Sequence, residues 1–118
     1  MHPYLAGYEH GQRKRPAAIA VSDGMAVVSW HLPDDIAAQS LRAQTDYRRG
    51  FGDGFKGKPL TAKWRVLKRY PDSQCVFGPL TGYYYLSVGS REYKDGHAAM
   101  CWKLAAVDLG LLSERQNR

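Results

Sequence analysis

Two segments of this chain repeat each other without a gap, and what they share restricts the fold more than any other feature. Residues 4–16, within a first repeat unit of residues 1–16, align with residues 47–59 at an offset of 43: Tyr4/Tyr47, Gly7/Gly50, Gly11/Gly54 and Pro16/Pro59 are identical, and Tyr8/Phe51, Arg13/Lys56 and Arg15/Lys58 are similar. Residues 89–96 form a fainter third copy, with Tyr93–Gly96 echoing Phe51–Gly54. Glycines four apart lie one turn apart on the same side of a helix. Each helical glycine costs about 1 kcal/mol relative to alanine, so such a helix needs a close neighbour to justify it. Tyr47, Phe51 and Phe55 recur every fourth residue and predict an aromatic ridge beside the bare strip, with Pro16 and Pro59 ending the two segments. The expected contact sets Gly50 and Gly54 against Gly89 and Gly96. The first repeat is too short to be a stable helix alone. It needs either the second repeat, giving a pseudo-symmetric monomer, or another subunit; the monomer is expected.

The chain has 118 residues, 44% apolar and 24% charged, which predicts one globular domain over 1–118 with a fraying tail at 113–118. No apolar run has the ~20 residues a membrane-spanning helix needs. The first residues carry neither a basic leader nor an apolar stretch, so no secretory signal is expected there. With two isolated cysteines, Cys75 and Cys101, reduced thiols and a cytoplasmic location are expected. Neither the cysteines nor His2, His10, His31 and His97 show metal-ligand spacing, and no metal or cofactor is expected.

Between the repeats, Leu32-Pro33-Asp34-Asp35 reads as a helix start, with Asp34 or Asp35 as cap and a helix from Asp35 to Lys56. Asp23-Gly24 between apolar runs predicts a hairpin over 17–31. Residues 63–70 alternate partly and read as a strand, turning at Pro71–Gln74 into a short strand at Cys75–Phe77. Tyr83–Val88 has strand composition, but Gly82, Tyr85, Gly89, Tyr93, Gly96 and Met100 form a helical stripe, and a helix over 83–104 is preferred. Residues 98–112 are helical on either reading. The fold class is α+β: two main glycine-faced helices and short antiparallel hairpins.

The charge is concentrated. Residues 42–69 hold nine basic residues and two acidic ones, +7, whereas residues 1–41 sum to −1 and residues 70–118 to zero. The cations are Arg42, Arg48, Arg49, Lys56, Lys58, Lys63, Arg65, Lys68 and Arg69. Tyr47, Trp64 and Tyr70 stand among them as stacking candidates. Basic residues interleaved with aromatic ones suit phosphates and stacked bases; the same charges suit an acidic protein surface. No nucleophile elbow, phosphate loop or zinc-protease motif is present. Gly50–Gly57 lacks the spacing and the preceding strand of a nucleotide loop, and Asp34-Asp35 reads as helix-start chemistry. The expectation is a protein that is not an enzyme.

Gly50-Phe51-Gly52-Asp53-Gly54-Phe55-Lys56-Gly57 resembles the Gly-aromatic-x-x-Gly-x-x-Gly helix of the ribosome modulation factor family, short basic bacterial proteins that associate with the ribosome. Small phage and mobile-element proteins carry similar segments. Tyr85–Glu92 is a looser counterpart of the family's second helix, and the family's Cys-Pro has no equivalent, since Cys75 precedes Val76. The resemblance spans residues 47–100. It implies a small phage- or mobile-element-type accessory protein, and together with the charge pattern the expectation is a binding protein that engages RNA, DNA or a ribonucleoprotein through residues 42–69. The alternative is a protein-binding inhibitor of a host defence system, of the anti-CRISPR type.

Overall fold

A computed structural model describes residues 1–19, of which 16–19 by backbone only, and residues 30–113. The order of elements is α1 (Pro3–Ile19), α2 (Asp34–Ala37), α3 (Leu41–Phe55), α4 (Ala62–Arg69), β1 (Gln74–Gly78), β2 (Tyr83–Val88), β3 (Arg91–Asp95) and α5 (Ala98–Asp108). The fold class is α+β. Among the described residues, no helix is long and apolar enough to cross a membrane. The chain, read from its sequence as one domain, divides into two compact units, Met1–Pro59 and Leu60–Arg118.

In the first unit the two repeats become α1 and α3, and they pack on each other. A Cβ on Gly50 would collide with the carbonyl of Tyr4, and one on Gly54 with the carbonyl of Tyr8. Reciprocally, a Cβ on Gly7 would strike the carbonyl of Tyr47, and one on Gly11 that of Phe51. Contacts advance in the same direction along both helices, so the pair is parallel. Shifting every number by 43 exchanges the two helices, which makes the pair pseudo-two-fold. The glycine strip has thus found the partner expected within the chain, its own repeat. Gly89 and Gly96 are not that partner: a Cβ on either would meet nothing within 4 Å.

The buried residues of α3, Tyr47, Gly50, Phe51 and Gly54, fall at i, i+3, i+4 and i+7, one face of a helix. Tyrosine hydroxyls extend the symmetry. Tyr4 Oη donates to Asp53 Oδ2 at 2.5 Å, and at the equivalent place Tyr47 Oη lies 2.6 Å from His10 Nδ1. Tyr8 Oη donates to the carbonyl of Lys58, and Arg15 Nη1 donates to the carbonyl of Phe55 at 2.7 Å.

Several local expectations are corrected. The helix predicted over Asp35–Lys56 is broken after α2, because the Ser40 hydroxyl caps α3 by accepting from the Ala43 amide at 3.2 Å. Pro33, not an aspartate, is the N-cap of α2; Asp34 and Asp35 occupy its first turn, where negative charge suits the helix dipole. Pro16 does not end α1, and residues 17–19 continue it rather than opening a strand. The Asp23-Gly24 turn and residues 114–118 of the tail lie outside the described residues.

The second unit has the order α4-β1-β2-β3-α5, with an antiparallel sheet β1-β2-β3. Leu86 stands opposite Cys75 and Tyr93, and Tyr84 opposite Phe77 and Asp95. Ala62, Val66, Leu86, Val88, Cys101, Trp102, Ala105 and Ala106 form one buried cluster. Residues 62–69 are helical, not a strand, since burial recurs at Ala62 and Val66, four apart. The helix preferred over 83–104 is replaced by β2, β3 and a shorter α5. Gly82 and Gly89 bracket β2 with φ of 75° and 58°, and Gly89 opens the two-residue loop to β3, the position where primed hairpin turns need positive φ.

Gly50→Ala should destabilise the protein by about 1–3 kcal/mol or more through overpacking. Gly52 lies on the same helix with nothing within 4 Å, so Gly52→Ala should stabilise by about 0.5–1 kcal/mol. Urea midpoints of the two variants, moving in opposite directions, check the contact.

Candidate nucleic-acid interface

The nine cations of residues 42–69 divide between the two units. On α3, Arg42, Arg48 and Arg49 are exposed, and Lys56 and Lys58 follow, also exposed. Arg42, Arg49 and Lys56 recur every seven residues, a stripe on the side away from the buried glycines. The Arg48 guanidinium lies 6.0 Å from the Trp30 ring, and Lys58 Nζ lies 3.9 Å from Asp53. In the second unit, Lys63, Lys68 and Arg69 are exposed along α4. Lys68 and Arg69 sit in its last turn, where positive charge suits the helix dipole.

Arg65 departs from this pattern. Its Nε donates to the carbonyl of Leu60 at 2.8 Å, and its Nη1 to the carbonyl of Leu111 at 3.1 Å. It ties the start of α4 to the segment after α5 and is half-buried. Of the nine cations it is the half-buried one.

The aromatic candidates also sort by burial. Tyr47 is 2% exposed and belongs to the helix pair, so its ring is not a stacking surface. Tyr70 packs against the core of the second unit, with the Arg69 guanidinium 5.3 Å from its ring. Trp64 is half-exposed, and Lys63 Nζ lies 5.0 Å from its ring.

Other surface features escaped the charge tally. Val76, Phe77, Leu80 and Tyr83 are exposed on the β1–β2 hairpin, Leu80 at 99%. Lys94 Nζ lies 4.9 Å from the Tyr83 ring. A signal for this was present: residues 73–90 contain no charged side chain. Trp30, stacked on Phe51 at 3.9 Å between centroids, carried no pattern that marked it.

Burial raises both thiols, Cys75 and Cys101, above their ordinary range, and a protonated thiol is a poor nucleophile. Both cysteines are free, Cys75 half-buried and Cys101 buried. Among the described residues no three His, Cys, Asp or Glu side chains group to hold a metal ion. The chain matches no protein-family model, no curated protein and no solved structure. Residues 85–92, aligned above with the second helix of the ribosome modulation factor family, lie in β2, its turn and the start of β3.

Two outcomes are expected here. Burial, then Arg13 and Lys14, holds His10 below its usual value, so the folded state favours the neutral ring. Its contribution to stability is complete above the unfolded pKa of about 6.5 and is lost as pH falls toward the folded value. Thermal melts from pH 8 to pH 5 should show this loss, and His10→Gln should flatten that part of the profile. Arg65→Ala should cost about 1.5–3 kcal/mol, the range for hydrogen bonds that involve a charged group, measurable by urea denaturation.

Proposed function

We propose that this protein binds nucleic acid, free or within a ribonucleoprotein, through the basic faces of α3 and α4. The observation that supports this reading is the disposition of the +7 stretch: eight of its nine cations are exposed, and Arg65 is half-buried. Exposed lysines and arginines that neutralise phosphates release condensed counterions, so affinity is sequence-tolerant and falls with salt. Each unit carries its own share, five exposed cations over 42–59 and three over 60–69, so the proposal needs no fixed arrangement of the two. Half-exposed Trp64 beside Lys63 supplies an aromatic surface for a base within the basic face.

A second reading, a protein-binding inhibitor, draws on a different observation. Val76, Phe77, Leu80 and Tyr83 expose apolar surface on a hairpin without charge, and phosphate binding makes no use of it.

Fluorescence anisotropy with generic RNA and DNA across a salt series separates the two. On the first reading, log affinity falls linearly with log salt. Lys68→Glu with Arg69→Glu should weaken binding at every sequence and reduce the salt slope by about 2. Arg65→Ala should leave the slope unchanged in the folded protein. Absence of affinity at low salt sinks the nucleic-acid reading. Under the inhibitor reading, Leu80→Lys removes partner binding while the charge reversals leave it intact.

A further inference from the structure

In the second unit a cavity of about 450 Å³ opens between the start of α4 and the first turns of α5. Ala62, Ala98 and Ala99 line it, and the space exists because these side chains are small. Trp102, 7% exposed, contributes an apolar wall. Lys63 from α4 and Lys103 from α5 are exposed at its rim, and no carboxylate is among the lining residues. Thr61 also borders the cavity, and its hydroxyl is not spent on capping α4.

The chemistry of this lining selects its ligand. Two ammonium groups with no acid in the lining favour an anion, and lysine serves phosphate as a point charge. The apolar wall of alanines and indole has no use for an inorganic ion by itself; it suits a flat apolar body attached to the anion. The volume falls within the ~300–1,000 Å³ range of small-molecule sites. We infer that this cavity seats one nucleotide, with its phosphate between Lys63 and Lys103 and its base against Trp102 and the alanines. The inference rests on the nucleic-acid reading and sharpens it: Lys103 lies outside residues 42–69 and joins the basic face of α4 only through the packing of α5. A nucleotide at this site comes either from a bound strand or from the free pool, and the chemistry is shared.

Calorimetric titration of the full chain with AMP, adenosine and inorganic phosphate tests the site directly. AMP is expected to bind at least about ten-fold more tightly than either fragment, since only AMP satisfies both the lysines and the apolar wall. Lys63→Glu with Lys103→Glu should abolish AMP binding. Ala99→Leu should also abolish it by filling the cavity with the charges kept. All three positions are exposed, and unchanged thermal melts verify the fold. Absence of AMP binding at millimolar concentration, or binding undiminished in both variants, overturns the inference. Competition between AMP and a labelled oligoribonucleotide distinguishes the sources: displacement assigns the site to a unit of the strand, and AMP binding without displacement assigns it to a free nucleotide. Strand affinity is measured in its own salt series, so strands that bind normally while AMP does not bind remove the cavity site and leave the basic faces standing.

Discussion

Backbone contact across four glycines holds the first unit together. At Gly7, Gly11, Gly50 and Gly54 the neighbouring helix brings a carbonyl into the space a Cβ would occupy. Such an approach is open only to helices with small residues in register, and it allows weak Cα–H to carbonyl contacts along the seam. It also fixes where everything larger must go. The rings of Tyr4, Tyr8, Tyr47 and Phe51 flank the seam, and the tyrosine hydroxyls must then find partners in the opposite segment. Asp53, His10 and the carbonyl of Lys58 supply them. Burial and the hydrogen bond to Asp53 raise the Tyr4 hydroxyl well above its ordinary value, which keeps it a donor.

A related rule governs which cations are available to a partner. A guanidinium has several donors in a fixed fork and is readily recruited by unpaired carbonyls at helix ends. Arg15 is drawn to the carbonyl of Phe55, and Arg65 to those of Leu60 and Leu111. The remaining cations of α3 and α4 stay at the surface, so net charge overstates the interface by the residues the fold itself consumes. Lys103 shows the opposite effect: it lies far from the basic stretch in sequence, and helix packing places it at the same cavity as Lys63.

How much was legible depended on whether a segment's partner was local. The repeat was visible because identical spacing of glycine and tyrosine survives over 13 positions, and its helical character follows from that spacing. The aromatic ridge of α3 was readable for the same reason, and so was the helical character, though not the start, of residues 98–108. Residues 62–69 misled because Lys63-Trp64-Arg65-Val66 alternates for a few positions, while the burial that decides the matter rests on Ala62 and Val66 alone. Residues 83–104 misled because small and aromatic residues fit both a helical stripe and two strands. The antiparallel pairing of β2 with β1 and β3 broke the tie. The part of the interface that could be read was its charge; Arg65 and Tyr47 could not be removed from it until their carbonyl and ring partners were known.

The sequence by itself determined the repeat, the α+β class, the glycine-faced helix and the location of the positive charge. Each is a property of composition and short spacing, readable within a segment or by comparing one segment with another. The tertiary structure alone decided that the glycine seam closes on the first repeat and not on Gly89 and Gly96, that the chain divides near Pro59, and that Arg65 is structural. The seam and the role of Arg65 are settled by contacts between residues some 40 or more positions apart, and the division by contacts that gather within each unit. A local pattern states what a segment must bury, and many surfaces satisfy that demand on paper. Only the one that brings carbonyl to glycine and donor to acceptor without leaving either unpaired survives desolvation.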